Sequence, residues 1–217
     1  MLVGFYNYTV WLTYVGLGSA IVGMNAAIRQ DFRLALICLL VCGVCDMFDG
    51  TVARTNKRRS DDAVKFGVQI DSLCDLVCFG AFPAVIGLTL CPQSIFTVLA
   101  AIVYVLAAVI RLAYFNVQEI NRSEADEKRE YYLGLPVTSS SVIMPMLALC
   151  TALHKVQWFY LYPVGLIAVA LAFVLRIKVK KLDLKWLVGM LVIFAAVLVL
   201  TIIFGGEIQP LSRVLAQ

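Results

Sequence analysis

Seven apolar runs dominate this chain of 217 residues, at about 6–27, 32–53, 67–90, 95–117, 133–153, 158–177 and 185–204. A membrane-crossing helix needs about 20 mostly apolar residues, and each run is long enough. None alternates with the period of two that an outer-membrane barrel requires. Hydrophobic residues make up 62% of the chain and charged ones 15%, whereas soluble domains run at about 45–50% and about 25%. An all-α, polytopic transmembrane helical bundle is expected, forming one unit of six spans with the seventh as an addition.

The connections alternate in character. Short hairpins join runs one and two, three and four, and five and six, marked by Arg29-Gln-Asp31, Cys91-Pro-Gln-Ser94 and His154-Lys155. The other three connections, 54–66, 118–132 and 176–185, carry the charge, with Arg122, Lys128 and Arg129 standing among several acids in the second. Lysine and arginine collect on the cytoplasmic side of membrane proteins. With the N-terminus inside, fourteen of the 18 basic residues fall on that side, Arg111 included. The start of the chain lacks a basic region before its first apolar run, so that run is read as a span and not as a cleaved signal. The seven cysteines mostly lie within apolar runs, an odd count that points to reduced, packed thiols. Cys42-Gly-Val-Cys45 lacks a second pair, and the only histidine, His154, is distant, so zinc is not indicated.

Against this background stand Asp46, Asp49, Asp71 and Asp75, inside runs two and three. A carboxylate at the centre of a membrane helix costs roughly 2.5–3.5 kcal/mol. No Lys, Arg or His stands between the members of either pair. On a helix, Asp46, Asp49, Gly50 and Ala53 share one face at i, i+3, i+4 and i+7, and Gly67, Asp71 and Asp75 share another at four-residue steps. Both faces meet at the cytoplasmic side in the topology above. All-oxygen ligation suits Mg²⁺, Mn²⁺ or Ca²⁺, and a pair of such ions serves phosphoryl transfer by stabilising attacking and leaving oxygens. Gly50, Ala53 and Gly67 leave room for a ligand, and Arg54 can neutralise a phosphate. A proton or cation relay in a carrier is the rival reading.

This pattern resembles the CDP-alcohol phosphotransferase family. Asp46, Asp49, Gly50, Ala53, Arg54, Gly67, Asp71 and Asp75 match its signature position by position, although the Arg54–Gly67 interval is longer than usual. The resemblance implies a six-span core, here residues 1–180, with 181–217 as an additional span and tail. It also implies a homodimer in the cell membrane that transfers the phosphatidyl or related group of a CDP-linked lipid to an alcohol and releases CMP. Asp46, Asp49, Asp71 and Asp75 would hold Mg²⁺ or Mn²⁺, two ions in all, and Asp75 would also act as base toward the acceptor. Gly50, Ala53, Arg54 and Gly67 would line the pocket for the CDP-lipid.

Three further stretches are similar to phosphatidylserine synthases: Asp71-Ser-Leu-Cys-Asp75-Leu-Val-Cys-Phe79-Gly80-Ala-Phe-Pro83, Arg111-Leu-Ala-Tyr-Phe115-Asn116 and Gly134-Leu-Pro136-Val. With the signature, the resemblance covers residues 10–180 or so. It implies CDP-diacylglycerol as donor and L-serine as acceptor; glycerol phosphate, inositol phosphate and choline are the alternatives. Two positions depart from that group. Tyr114 replaces a second basic residue, and Gly16 stands after Thr13 where Asn is common. Arg111 is then left as partner of the serine carboxylate, with Asn116 and Ser139 beside it. Arg111 could instead snorkel to the headgroups, and the hydroxyls of Thr138–Ser141 could serve helix packing. Arg176–Lys181 reads as a topology signal that contacts anionic lipid. Trp11, Trp158 and Trp186 read as interfacial anchors. Nothing suggests nucleic acid as a partner.

Overall fold

A computed structural model describes residues 10–53, 61–92, 94–125, 131–153, 160–176, 178–180 and 184–214. Its helices are α1 (Trp11–Ile28), α2 (Phe32–Ala53), α3 (Asp61–Asp75), α4 (Phe82–Leu90), α5 (Ile95–Ala125), α6 (Ser140–Leu153), α7 (Leu161–Val174), α8 (Leu184–Phe204) and a short α9 (Leu211–Val214). A π-helical segment, Leu76–Ala81, joins α3 to α4. Two strands, β1 (Tyr131–Leu133) and β2 (Lys178–Lys180), pair antiparallel with Tyr132 opposite Val179.

The chain is an all-α polytopic membrane bundle. Among the described residues four helices are long and apolar enough to cross a bilayer: Trp11–Ile28, Asp62–Leu90, Ile95–Gln118 and Gly189–Glu207. That corrects the expectation of seven such runs. α2, with 22 residues, carries Arg33 near its start and Asp46 and Asp49 toward its end. α6 and α7 have 14 residues each, a rise of about 21 Å against a hydrocarbon layer of about 30 Å. The run expected from 133 opens with β1 and a 3-10 turn, Val137–Ser139, before α6 begins. The third helix starts at Asp61, six residues earlier than its apolar run, because an amphipathic turn precedes the apolar one. α5 likewise continues to Ala125, into what reads as a loop.

α1 and α2 form an antiparallel hairpin. α1 ends in a Schellman turn: Gln30 takes φ +65°, Asp31 N–H donates to Ala26 O and Gln30 N–H to Ala27 O, both over 2.9 Å. Asp31 Oδ1 then caps α2 through Leu34 N–H at 3.1 Å. The buried face of α1 is Thr13, Gly16, Ala20, Gly23, Ala26 and Ala27. Lipid tails are as apolar as leucine, so helices in a membrane associate by close packing, and small residues permit it. A methyl group on Gly23 would collide with the Phe82 ring and with Cys38 Cβ. Small polar contacts cross the same seam, Ser19 Oγ donating to Cys38 O (3.1 Å) and Cys42 Sγ to Gly16 O (3.2 Å). α2 is the central helix, packed on α1, α4, α6 and α8.

Pro83 explains the π segment. It has no N–H for the Phe79 carbonyl four residues back, and its ring crowds that carbonyl. Phe82 N–H reaches Val77 O instead, an i to i−5 bond. The released Phe79 carbonyl accepts from Tyr104 Oη at 2.6 Å and from Ser140 Oγ at 3.4 Å. Tyr162 Oη donates to Pro83 O at 3.0 Å. These two fully buried tyrosines tie α5 and α7 to the segment that follows Asp75. Gly134, at φ +81°, turns the chain from β1 toward α6; a side chain there would also meet Phe173 O at 3.1 Å and Leu175 O at 3.2 Å.

Tyr104→Phe keeps the ring and removes the stronger donor to the Phe79 carbonyl. It should lower stability by about 1–3 kcal/mol, read as a reduced melting temperature in detergent, whereas Gly18→Ala, whose added methyl meets nothing within 4 Å, should not.

Candidate active site

The aspartates come from two rigid elements. Asp46 and Asp49 lie one turn apart near the end of α2, and Asp71 and Asp75 lie in the last turns of α3. Asp61–Leu90 runs about 45 Å at 1.5 Å per residue, while a hydrocarbon layer takes about 30 Å. Counting 20 residues back from Leu90 reaches Asp71, and 20 forward from Phe32 passes Asp49. The two antiparallel helices therefore bring their carboxylates to one end of the apolar layer.

One oxygen each from Asp46, Asp49 and Asp71 lies within 4.8 Å of the others. Asp75 stands outside that trio but within hydrogen-bonding range of Asp46, as Asp71 does of Asp49. Carboxylates so close require a proton or a cation between them. At 4.8 Å two like charges repel by about 3–4 kcal/mol at an effective dielectric of about 20. Oδ1 of Asp71 is buried and has no hydrogen-bond partner. A dense set of oxygen donors, with one buried acceptor unsatisfied, fits a hard divalent cation better than a zinc or copper ion.

A small cleft of ≈ 10 Å³ adjoins the trio, lined by Thr13, Gly16, Asp46, Asp49, Asp75 and Phe79 together with four cysteines. Those thiols, Cys42, Cys45, Cys74 and Cys78, are buried and free, as the reading of packed, reduced cysteines expects. Their position beside the carboxylates was not legible from composition. Thr13 was also missed as a neighbour of the site: its hydroxyl donates to Asp49 Oδ2 over 3.4 Å. A single threonine in an apolar run carries no periodic signal.

Gly50 is exposed, and a methyl there would meet nothing within 4 Å; Gly67 is half-buried on α3. Ala53 is the last residue of α2, and Arg54 lies outside the described residues. Arg111 and Asn116 are on α5. Arg111 is only 7% exposed, with Nε donating to Leu135 O at 3.3 Å and its guanidinium 5.9 Å from the Phe115 ring centroid. Such burial does not fit snorkelling. Asn116 Oδ1 accepts from Ser72 Oγ at 2.6 Å, which links α5 to the residue after Asp71. Ser139 donates to Pro136 O at 2.6 Å in its own turn. Ser140 and Ser141 are fully buried packing residues.

Bundle and cradle together define an integral membrane protein with a candidate site for a hard cation near one end of its apolar layer. Residues 6–203 match the family model described as CDP-alcohol phosphatidyltransferase, and the chain belongs to that family. The chain is similar to the CDP-diacylglycerol–serine O-phosphatidyltransferase of Saccharomyces cerevisiae, at 35% identity over 114 residues, 51% of this chain and 40% of that protein. The enzyme of the same name from Mycobacterium leprae is 26% identical over 201 residues, 87% of this chain and 66% of its own length. That from Methanocaldococcus jannaschii is 28% identical over 131 residues, 60% and 56% respectively. The chain thus spans from two fifths to two thirds of the length of these relatives. Family and acidic cluster together support a metal-dependent transferase of lipid metabolism over a carrier.

Asp71→Asn should weaken Mn²⁺ binding at least tenfold, measured by titrating free Mn²⁺ by electron paramagnetic resonance. Asp62→Asn, on the exposed start of α3, should bind as the parent does.

Proposed function

We propose that this protein transfers the phosphatidyl group of CDP-diacylglycerol to the hydroxyl of L-serine, giving phosphatidylserine and CMP. The convergence of Asp46, Asp49 and Asp71, with an unsatisfied Asp71 oxygen, is the observation that carries the reading. The serine acceptor is supported by the names of the relatives and by the Arg111–Asn116 and Gly134–Val137 stretches.

Asp46, Asp49, Asp71 and Asp75 would hold Mg²⁺ or Mn²⁺, two ions in this reading. When bound, such ions supply positive charge that stabilises the phosphate oxygens and the leaving phosphate of CMP. The open flank at Gly50, with Ala53, Arg54 and Gly67, takes the nucleotide part of the donor. Asp75 accepts the proton of the serine hydroxyl as its oxygen bonds to the phosphatidyl phosphorus and the bond to CMP breaks. Two rigid helices hold the carboxylates in place, so little reorganisation accompanies reaction. Arg111 pairs with the serine carboxylate, Asn116 sits alongside, and Ser139, whose proton is engaged by Pro136 O, offers lone pairs to the ammonium.

The reading extends to the whole molecule. Residues 1–180, with α1, α2, α3 and α4, α5, α6 and α7, would form the transferase domain, and 181–217 would add α8 and the tail. The N-terminus and the site would face the cytoplasm of a cell membrane, supported by the placement of basic residues. The protein would be a homodimer among membrane lipids.

The direct test supplies purified protein with CDP-diacylglycerol, Mn²⁺ or Mg²⁺, and a panel of serine, glycerol phosphate, inositol phosphate and choline. CMP release with serine alone is expected; release with another acceptor only would remove the serine assignment. Asp75→Asn should lose about 10²–10³ in turnover while retaining the thermal shift given by CDP-diacylglycerol. Equal loss of both would make Asp75 an ordinary ligand. Arg111→Lys, which replaces a two-pronged donor with a point charge, should raise the KM for serine and leave that for the donor lipid nearly unchanged. A change confined to the donor lipid would place Arg111 on the phosphates instead.

A further inference from the structure

Among the described residues, side-chain hydrogen bonds of Ser19, Cys42 and Thr13 cross the seam between α1 and α2, and the last is unlike the others. Ser19 and Cys42 donate to backbone carbonyls, of Cys38 and Gly16, and so register one helix on the other. Thr13 donates to a carboxylate, Oδ2 of Asp49. Both partners are 8% exposed, so water does not substitute readily for either. Both line the cleft beside Asp46 and Asp75. Asp49 is also the carboxylate within range of Asp71, so one of its oxygens is engaged by a neutral donor from a third helix while the group faces the cluster.

We propose that Thr13 is a positioning residue for the cation site: its hydroxyl fixes the rotation of the Asp49 carboxylate and so sets the affinity of the Asp46–Asp49–Asp71 cradle for a divalent cation. The inference rests on the reading of that cradle as a metal site. Three features of Thr13 support it. It continues the small-residue face of α1 that includes Gly16, Ala20 and Gly23, so the backbone seam fixes its height. Gly16, one turn on, brings α1 close enough that a methyl there would lie 3.4 Å from Cys45 Cβ. As a β-branched residue on a helix, threonine has few side-chain rotamers, so the donor is held in place. Residues that orient a metal ligand typically matter 10–100-fold in affinity when removed.

The test titrates the full-length protein in detergent with Mn²⁺ alone, without lipid donor or acceptor, and follows free Mn²⁺ by electron paramagnetic resonance. Thr13→Val preserves shape and removes the donor; its Mn²⁺ dissociation constant should rise about 10–100-fold. Thr13→Ser restores the hydroxyl and should return within about threefold of the parent. Melting in the presence of a chelator reads the separate structural cost of losing the hydrogen bond, which should lower the melting temperature of the valine protein and be restored by serine. If valine impairs folding, Thr13→Ala is read in its place. Wild-type affinity in the valine protein, or serine as weak as valine, would overturn the proposal. Asp49→Asn in the same titration separates the two levels. If it binds Mn²⁺ normally, the cradle itself is misread; if it loses binding while Thr13→Val does not, the role of Thr13 alone falls.

Discussion

Carboxylates crowded at the end of an apolar bundle are the constraint around which this structure is arranged. Three of them bring oxygens within 4.8 Å of one another, and a fourth lies beside Asp46. Insertion costs roughly 2.5–3.5 kcal/mol for an aspartate at mid-membrane and less toward the end of the layer, where these stand, and each close like-charged pair adds about 3–4. The total approaches or exceeds the net stability of about 5–15 kcal/mol typical of a folded domain. An arrangement of this kind persists only where positive charge or protons compensate it and where rigid helices prevent the groups from turning away. α2 provides the second condition, being packed against four neighbouring helices.

The π segment contributes from the other side. Beginning directly after Asp75, it shifts the register of the helix that carries the carboxylates, and such bulges recur at functional sites. Its cost is an unpaired carbonyl at Phe79, met by Tyr104 and Ser140 from α5 and α6. Tyr104 and Ser140 thus hold one distorted turn, directly after the residues with which α3 presents Asp71 and Asp75 to α2. The core and the site are mechanically one unit.

How much of this was legible in the sequence follows from the kind of signal each feature leaves. Asp46 and Asp49 at i and i+3, and Asp71 and Asp75 at i and i+4, encode shared helix faces directly, and the structure brings three of the four into one cluster. Apolar runs located the helices but misjudged their ends: Asp61–Phe66 is polar enough to read as loop, yet it forms an amphipathic first turn of α3. The β1–β2 pair joins segments of three residues each, about 45 positions apart, and no local pattern announces such a pairing. Thr13 and Ser72 were overlooked for a related reason. Their importance lies in a partner 36 or 44 positions away, and a lone hydroxyl in an apolar run looks like packing.

Access to the cleft follows from which walls are closed. On one side α1 contributes Thr13 and Gly16, close against α2, and behind the carboxylates stand Cys42, Cys78 and the buried ring of Phe79. Neither wall offers an opening to a polar ligand without separating packed helices. Beside Gly50, in contrast, even an added methyl would touch nothing within 4 Å, and this glycine sits one residue beyond Asp49 on the same face as Asp46. Among the described residues, the lack of a side chain at that position leaves this flank open. On the proposed reading a nucleotide headgroup enters along that flank from the aqueous end, and its lipid chains stay in the apolar layer alongside the bundle. On that reading a closed α1 wall and an open glycine flank serve one purpose: ligand charge approaches along the open flank, and the packed side stays dry enough for electrostatic stabilisation to be strong.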